Sequence, residues 1–291
     1  LRDSVTELGG GRHPGFWIKA LGNDVERSSV MFRDFGGGKS LTYDSGYNQK
    51  THGFVGGLDL LNVQGDGYAW ALGVNAGHVT SDADYKVTAS KTRFEGNTYG
   101  VYASYLAGPL FLDGIVNVND LDMDLGFVGA GSSKSNVKTT GAQAEGGYRI
   151  FVNEGSAWLE PIATLAYIKR DFDAAKIGNG LTADLGSGSV FKGALGLRLG
   201  GKMDLSAATV GLAITGRVWD EFRGDHDVVL TSPGQPQLML ADVQPKTLGD
   251  VGVTLNVMSK SRRVSGFADY GFKFREGYSD STASLGVRVN F

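Results

Sequence analysis

The sequence contains no cysteine and only 6 prolines among its 291 residues. Without cysteine, the chain has no disulfide framework and no thiolate site, and this composition is compatible with passage through an oxidising compartment. It also lacks any apolar run of the roughly 18 to 20 residues that a transmembrane helix requires. If the chain spans a bilayer, it must therefore do so with strands. Residues 1–15 contain no apolar core of a secretory signal peptide, so we expect the chain to be a mature or excised C-terminal part of a longer protein.

A strong excess of charge of one sign is absent as well. Lys and Arg total 28 against 31 Asp and Glu, a formal net charge of -3, and no basic run is present, so we exclude a nucleic-acid partner. The four histidines have no metal-ligand spacing, and we predict no metal site and no cofactor. They are His13, His52, His78 and His226. No Gly-x-Ser-x-Gly elbow or Gly-x-x-x-x-Gly-Lys loop occurs, so we predict no catalytic residues and no enzyme activity.

Glycine is abundant, with 45 residues that follow no collagen period, as is typical of tight turns and crowded strands. From residue 16 to the end, large apolar residues alternate with small or polar ones, and helical periodicity is almost absent. For example, Tyr68, Trp70 and Leu72 alternate with Ala69 and Ala71. About twelve such segments of about 9 to 11 residues follow one another, which is the length that a tilted strand needs to cross a bilayer.

The connections between these segments alternate between short and long. The short ones are 62–67, 107–108, 152–156, 200–204 and 259–263, and the long ones are 23–48, 80–95, 120–136, 168–189, 223–246 and 274–281. Outer-membrane barrels show this alternation because tight turns lie at the periplasmic rim and extended loops at the extracellular rim. The sequence therefore predicts an all-β fold in residues 15–291, a transmembrane antiparallel up-and-down β-barrel of twelve strands with short periplasmic turns and long extracellular loops.

One parity of the strands is apolar, and the other carries most of the charges. We predict that the polar parity lines a pore, with Lys19, Asp59, Asn75, Asp113, Asn117, Glu145, Arg149, Glu160, Lys192, Arg198, Arg217, Glu221, Asp250, Asp269 and Arg288. An unpaired buried charge costs on the order of several kcal/mol, so we expect this interior to be hydrated or cross-paired by mixed ion pairs. The same charges would also suit the solvent face of a soluble antiparallel sheet.

Aromatic residues on the apolar parity lie near the ends of several segments. They are Tyr68, Tyr105, Tyr148, Tyr167, Tyr270, Phe272 and Phe291. This placement is typical of the interfacial girdles of a membrane barrel. The last segment, SLGVRVNF, runs in strand alternation up to the terminal Phe291, although most domains fray at their last residues.

These segments resemble the C-terminal translocator domain of monomeric autotransporters, the type Va secretion family, over nearly the whole chain. GFWIKALG is similar to the first strand of the family, with Trp17 and Gly22 kept and Lys19 in place of the usual arginine. YAWALGVNAGHVTSDADY resembles the third strand and FLDGIV the fifth. SAWLEPIATLAY resembles the seventh strand, in which Glu160 and Pro161 form the Glu-Pro pair.

The end of the chain resembles the signal that the outer-membrane assembly machinery recognises. Ser284, Gly286, Val289 and Phe291 occupy its positions, and Val289 stands where an aromatic residue is usual. The resemblance implies that the terminal phenylalanine is an address for membrane insertion and that the last strand closes onto the first.

The resemblance also implies an outer-membrane translocator that anchors its precursor and supports export of an N-terminal passenger to the cell surface. Residues 1–14 would be the remnant of a linker or plug, often helical, that leads into the pore. The partners would be outer-membrane lipids, the outer-membrane assembly machinery, and the protein's own passenger and linker, and we expect a monomer. Some family members cleave the passenger with a linker asparagine, but residues 1–14 contain none, so self-cleavage is not assigned.

Three alternatives remain open at this point. An independent outer-membrane channel or porin of twelve strands needs no passenger and should carry an inward loop or a biased constriction. A barrel protease or lipase needs a catalytic constellation at the rim or the outer wall, and strand parity indicates none. A soluble secreted all-β adhesin would not need detergent.

Overall fold

The computed structural model describes residues 11–12, 14–28, 30–34, 40–44, 46–86, 90–127, 131–152, 155–177, 181–184, 187–224, 227–231, 238–241 and 246–291. Within these ranges no helix is long and apolar enough to cross a membrane. Twelve strands in the described residues form one antiparallel sheet that closes on itself. They are β1 (Gly15–Arg27), β2 (Tyr47–Gly65), β3 (Tyr68–Tyr85), β4 (Lys91–Ala107), β5 (Leu110–Phe127), β6 (Gly131–Tyr148), β7 (Ala157–Phe172), β8 (Gly188–Asp204), β9 (Ala208–Gly224), β10 (Thr247–Ser259), β11 (Val264–Arg275) and β12 (Tyr278–Asn290).

Each barrel strand pairs with its neighbours along the chain, and the last strand pairs with the first. The β1–β12 register runs from Gly15 opposite Asn290 to Arg27 opposite Tyr278. The backbone N–H of Phe291 adds a 3.0 Å hydrogen bond to the carbonyl oxygen of Pro14. Closure leaves the barrel wall without a free edge, and a strand-built structure needs this in lipid because every backbone group must be paired within the protein. The predicted twelve-stranded antiparallel barrel is confirmed.

The barrel strands are longer than the sequence pattern predicts. They range from 12 residues in β11 to 19 in β2, against the predicted 9 to 11. The predicted connections 80–95, 120–136 and 274–281 are mostly strand, and β11 and β12 are joined only by Glu276 and Gly277. Backbone pairing continues where the outward face has become polar, as at Asp120 and Asp122 on β5. The alternation reverses there, with aspartates outward and Leu121 and Met123 inward, so a search for apolar residues on the outward face places the strand ends too early.

Shorter strands lie at both ends of the barrel. At the end with long loops, Val30–Asp34 pairs with Ser40–Asp44, and Ala175–Ile177, Leu181–Asp184, Asp227–Thr231 and Leu238–Ala241 form a four-stranded sheet. At the end with short turns, Ile150–Val152 pairs with Ala157–Leu159, and Gly11–Arg12 pairs with Val63–Gln64. Most of the predicted linker, residues 1–10 and 13, lies outside the described residues, so its place in the pore stays a prediction.

The two faces of the sheet differ in the way that a membrane barrel requires. On the outer face, large aliphatic side chains such as Leu195, Ile214 and Val218 are exposed. On the inner face, buried apolar side chains form only small clusters, and polar residues such as Glu160 and Thr164 are fully buried among them. A water-soluble barrel has the reverse arrangement, with its charges outside. Of the predicted girdle residues, Tyr68, Tyr105, Tyr148, Tyr167, Tyr270 and Phe291 are exposed and Phe272 is half-buried.

Candidate functional site: the interior wall of the barrel

Six charged side chains form a continuous chain of ion pairs along the interior wall between the end of β6 and β10. This ion-pair belt consists of Glu145, Arg149, Glu160, Arg198, Arg217 and Asp250. At one end, Arg149 Nε donates to Glu160 Oε1 at 2.6 Å. Arg198 Nη1 donates to the other oxygen of Glu160 at 3.0 Å. Glu160 is fully buried, so its charge depends on these two guanidinium groups.

The belt continues through Glu145, which lies between two arginines. Arg198 Nη2 donates to Glu145 Oε1 at 2.6 Å, and Arg217 Nη2 donates to Glu145 Oε2 at 2.6 Å. Arg217 Nη1 then donates to Asp250 Oδ2 at 3.1 Å. Most of these distances are typical of charge-assisted hydrogen bonds. Three arginines alternate with three carboxylates, so the belt has no formal net charge, as expected for an interior of mixed ion pairs.

Glycines on the interior wall allow long side chains to lie flat against the strands. A Cβ added at Gly200 would overlap the Trp158 ring, and a Cβ added at Gly196 would crowd the Arg217 side chain. The Arg149 guanidinium stacks on the same Trp158 ring, with 4.2 Å between its carbon and the ring centroid. Because these side chains follow the wall, they cover neighbouring strands instead of projecting across the barrel.

A second group, the seam cluster, lies where β1, β2 and β12 meet. It consists of Trp17, Asp59, Tyr102 and Arg288. Trp17 Nε1 donates to the Tyr102 hydroxyl at 2.8 Å, and that hydroxyl donates to Asp59 Oδ1 at 2.6 Å. Arg288 Nε lies 3.5 Å from Asp59 Oδ2, and both side chains are buried. The cluster therefore links the two strands at the closing seam to β2 and β4.

A third polar group surrounds Asp280 on β12, nearer the loop end. Asn23 Nδ2 donates to Asp280 Oδ1 at 2.5 Å across the seam, and Lys273 Nζ donates to Oδ2 at 3.4 Å. A cavity of about 550 Å³ opens between this group and the ion-pair belt. Its lining includes Asn117, Thr139, Lys192, Arg217, Asp250 and Lys273. The interior between the two groups is therefore open and lined by both polar and apolar side chains.

The remaining predicted pore-lining residues lie on the same interior parity, outside the belt and the seam cluster. Asp113 accepts a hydrogen bond from Ser104, and Asp269 accepts one from Thr254 at 2.9 Å. Lys19 is half-buried on β1. These residues do not converge on one point.

Four further predicted residues complete the set. Lys192 stands opposite Glu221 in the β8–β9 register, and its ammonium lies 5.2 Å from the centroid of the Trp219 ring. Asn75 Nδ2 and Asn117 Oδ1 are buried and make no hydrogen bond within the described residues. The pore-lining role of all fifteen residues stays a prediction.

Sequence reasoning missed several interior residues that hold these groups together. Tyr102, Trp219, Lys273 and Asp280 are absent from the predicted set, although strand alternation assigns Tyr102 and Trp219 to the interior parity. Asp280 fell in the connection predicted at 274–281, where no parity was assigned, and Lys273 lies between that connection and the last residue of the preceding predicted strand. Trp17 was recognised as part of a motif, but its partner on β4 has no signal in the sequence.

The predicted assembly-signal residues lie on both faces of β12 and beyond it. Ser284 Oγ donates to Asp269 Oδ2 at 3.1 Å, and Gly286 makes room for the Phe267 ring on the inner face. Val289 stands opposite Val264 and Phe16, and Phe291 is 75% exposed. Recognition of these residues by an assembly machinery stays a prediction. Among the described residues, no group of three or more His, Cys, Asp or Glu side chains has metal-site geometry.

Comparison with known proteins relates the chain to secretion barrels. The family model of the autotransporter β-domain matches residues 30–271. The pertactin autotransporter of Bordetella bronchiseptica is 31% identical over 188 residues, which cover 61% of this chain and 20% of the relative. The chain thus spans about a fifth of the length of the curated relative that it matches.

Two solved structures share the fold over almost the whole chain. The transport unit of the autotransporter AIDA-I from Escherichia coli has a TM-score of 0.72 at 16% identity, covering 95% of this chain and 90% of its own. The β domain of the Bordetella autotransporter BrkA has a TM-score of 0.72 at 18% identity, covering 96% of this chain and 99% of its own. At these identities the likeness bears on the fold alone.

Proposed function

Because the chain belongs to the autotransporter β-domain family, we propose that it is the translocator of a longer precursor, which it anchors while supporting export of an N-terminal passenger to the cell surface. Barrels of this family lie in the outer membrane of Gram-negative bacteria, and the family is one of secretion, not of enzymes. The match to residues 30–271 carries the proposal, since it includes most of the barrel strands.

The interior wall supports an export role on physical grounds. Its charges are paired with one another, so a polypeptide that passes through meets a polar surface without a strong field of one sign. Arg217 lies along the wall over Gly196, and Arg149 lies against the Trp158 ring, so these side chains keep space in the lumen. An α-helix with side chains is about 10 to 12 Å across, and a barrel between the filled eight-stranded and open sixteen-stranded cases is a suitable size to hold one.

Several finer assignments belong to the same proposal. Residues 1–14 are the remnant of the linker, and the predicted pore-lining residues face it in the lumen. Ser284, Gly286, Val289 and Phe291 are the address that the outer-membrane assembly machinery reads. The barrel is a monomer surrounded by outer-membrane lipids and has no catalytic role of its own.

A surface-display experiment tests this function. A cysteine-free reporter domain with an epitope tag is fused before Leu1, behind a secretory signal, and expressed in a Gram-negative host. We expect protease added to intact cells to remove the tag. A control that lacks β12 should not display it, because the barrel cannot close. A heat-modifiable, fully assembled barrel with the reporter retained in the periplasm would contradict the proposal and favour an independent channel.

A further inference from the structure

An apolar groove of about 410 Å³ runs along the outer, lipid-facing wall of the barrel at strand β6. Its floor contains Ala142 and Ala144, both on the outward parity of β6. Val116 of β5 forms one side, and Leu165 and Tyr167 of β7 form the other. Larger outward side chains such as Val116, Leu165 and Phe191 flank these alanines, so the wall is locally indented.

Packing within the barrel wall does not require glycine at Gly114 in the groove or at Gly146 beside it. A Cβ added at Gly114 would meet no atom closer than 3.9 Å, and one added at Gly146 would make only ordinary contacts at 3.5 and 3.6 Å. By contrast, a Cβ at Gly57 or Gly200 on the inner wall would overlap an aromatic ring. The outward glycines leave space that no part of the described chain fills.

Two lysines lie on the same outer face beyond the groove, toward the loop end: Lys169 is the next outward residue after Tyr167, and Lys138 is two outward positions beyond Ala142. Lys169 stands opposite Thr140 in the β6–β7 register, and Lys138 stands opposite Asp171. From Tyr148 to Lys138 is ten residues, which at a rise of about 3.4 Å and a tilt of about 40° spans about 26 Å along the barrel axis. The apolar band of such barrels is about 25 Å tall, so Lys138 lies at the outer interface, where lipid headgroups are, and the long side chain of Lys169, two positions lower, can extend to the same level.

We propose that this groove binds one acyl chain of a phosphate-bearing lipid of the outer leaflet, with the phosphate held by Lys138 and Lys169. On β6 the groove itself is lined by Ala142 and Ala144, and the outward Gly146 and Thr140 continue this row of small residues on either side, which gives a track of about 20 Å for the chain. The bound acyl chain makes dispersion contacts with Val116, Leu165 and Tyr167, which these side chains lack when the groove is empty.

The acidic residues beside Lys138 and Lys169 determine how the phosphate is recognised. Lys169 Nζ bonds Asp171 at 2.8 Å, and Asp120 stands opposite Lys138. The Lys169–Asp171 pair is about half exposed, so a phosphate can compete with the carboxylate. Since the two carboxylates cancel the positive charge at long range, binding depends on direct contact between phosphate and ammonium, and salt should weaken it.

Native mass spectrometry of the detergent-purified barrel tests the proposal. The probes are dimyristoyl phosphatidylglycerol and dimyristoylglycerol, which share their acyl chains and differ in the phosphate. We expect the wild-type protein to retain one phosphatidylglycerol in preference to dimyristoylglycerol. The groove-filling variant Ala142→Leu/Ala144→Leu should weaken retention about tenfold, since it occupies the space of the chain. The variant Lys138→Ala/Lys169→Ala should remove the preference for the phosphate-bearing lipid.

The matched control is Ala20→Leu/Ala283→Leu, which enlarges two exposed outward residues on β1 and β12. It should bind as the wild type does. Heat-modifiable gel migration confirms that each variant is folded, and Ala144→Val replaces the double variant if that fails to fold. If the groove-filling variant retains as much phosphatidylglycerol as the wild type, the groove is not the binding site. The same holds if the control variant loses as much lipid as the groove-filling variant. An unchanged lipid preference after loss of both lysines would overturn the phosphate assignment.

Discussion

Trp17 on β1 donates a 2.8 Å hydrogen bond from its indole nitrogen to the hydroxyl of Tyr102 on β4, across two intervening strands. The rings lie 5.9 Å apart between centroids. Gly57 on β2 and Gly73 on β3 make this reach possible, since a Cβ at either position would overlap the Trp17 or the Tyr102 side chain. The bond ties the first strand, which closes the barrel, to a strand well away from the seam.

Removing the Tyr102 hydroxyl tests the seam cluster. In Tyr102→Phe, Trp17 Nε1 loses its acceptor and Asp59 Oδ1 loses its donor, so we expect a loss of about 1–3 kcal/mol in the free energy of unfolding. Urea unfolding of the refolded barrel in lipid vesicles measures this. Tyr99→Phe is the control, because Tyr99 is on the same strand but exposed on the outer face. Equal stabilities of the two variants would show that the cluster does not hold the seam.

Breaking the ion-pair belt at Glu160 should have the largest effect on stability. Glu160→Ala leaves the guanidinium groups of Arg149 and Arg198 without that carboxylate, and loss of one partner of a buried pair costs about 3–5 kcal/mol. The same unfolding assay measures the change. Asp204→Asn removes the carboxylate of an exposed pair with Lys260, at 2.7 Å, and should leave stability unchanged. A Glu160→Ala barrel as stable as the Asp204→Asn barrel contradicts this role of the belt.

Adding a side chain to a glycine that is covered by an aromatic ring should destabilise the barrel. Gly57→Ala forces Trp17 off the wall, and we expect a loss of about 1–3 kcal/mol together with a shift in tryptophan emission. Unfolding followed by fluorescence records both. Gly22→Ala on β1 is the control, because no atom lies within 4 Å of its added Cβ. If both variants behave like the wild type, Trp17 does not depend on the glycine.

The terminal phenylalanine should matter for assembly and not for stability. Phe291 is 75% exposed, so Phe291→Ser removes few contacts from the finished barrel. We expect less heat-modifiable barrel in outer-membrane fractions of cells, but unchanged unfolding after refolding in vitro. Phe54→Ser is the control, because it also removes an exposed phenylalanine from the outer face but lies away from the end of the chain. If Phe291→Ser assembles as well as the wild type, Phe291 is not part of the signal that the assembly machinery reads.

The sequence by itself determines that the chain forms strands and which face of each strand is polar. Successive side chains of a strand point to opposite faces, so the alternation around Glu145 or Arg198 assigns both residues to one surface without knowledge of the fold. The number of strands and their order also follow, because each segment is bounded by its own turns. The pattern becomes misleading above the apolar band, near Asp120, where the outward face carries aspartates, the inward face carries Leu121 and Met123, and the strand continues.

Only the tertiary structure decides which interior side chains meet. Arg217 bonds Glu145, 72 residues away and three strands distant, and Trp17 reaches Tyr102 in the same way. These contacts depend on the register of every intervening strand pair, on the curvature of the closed wall and on the glycines that let long side chains cross their neighbours. Strand parity predicts the face on which each residue lies. The distances between side chains on that face are set only when the barrel has closed.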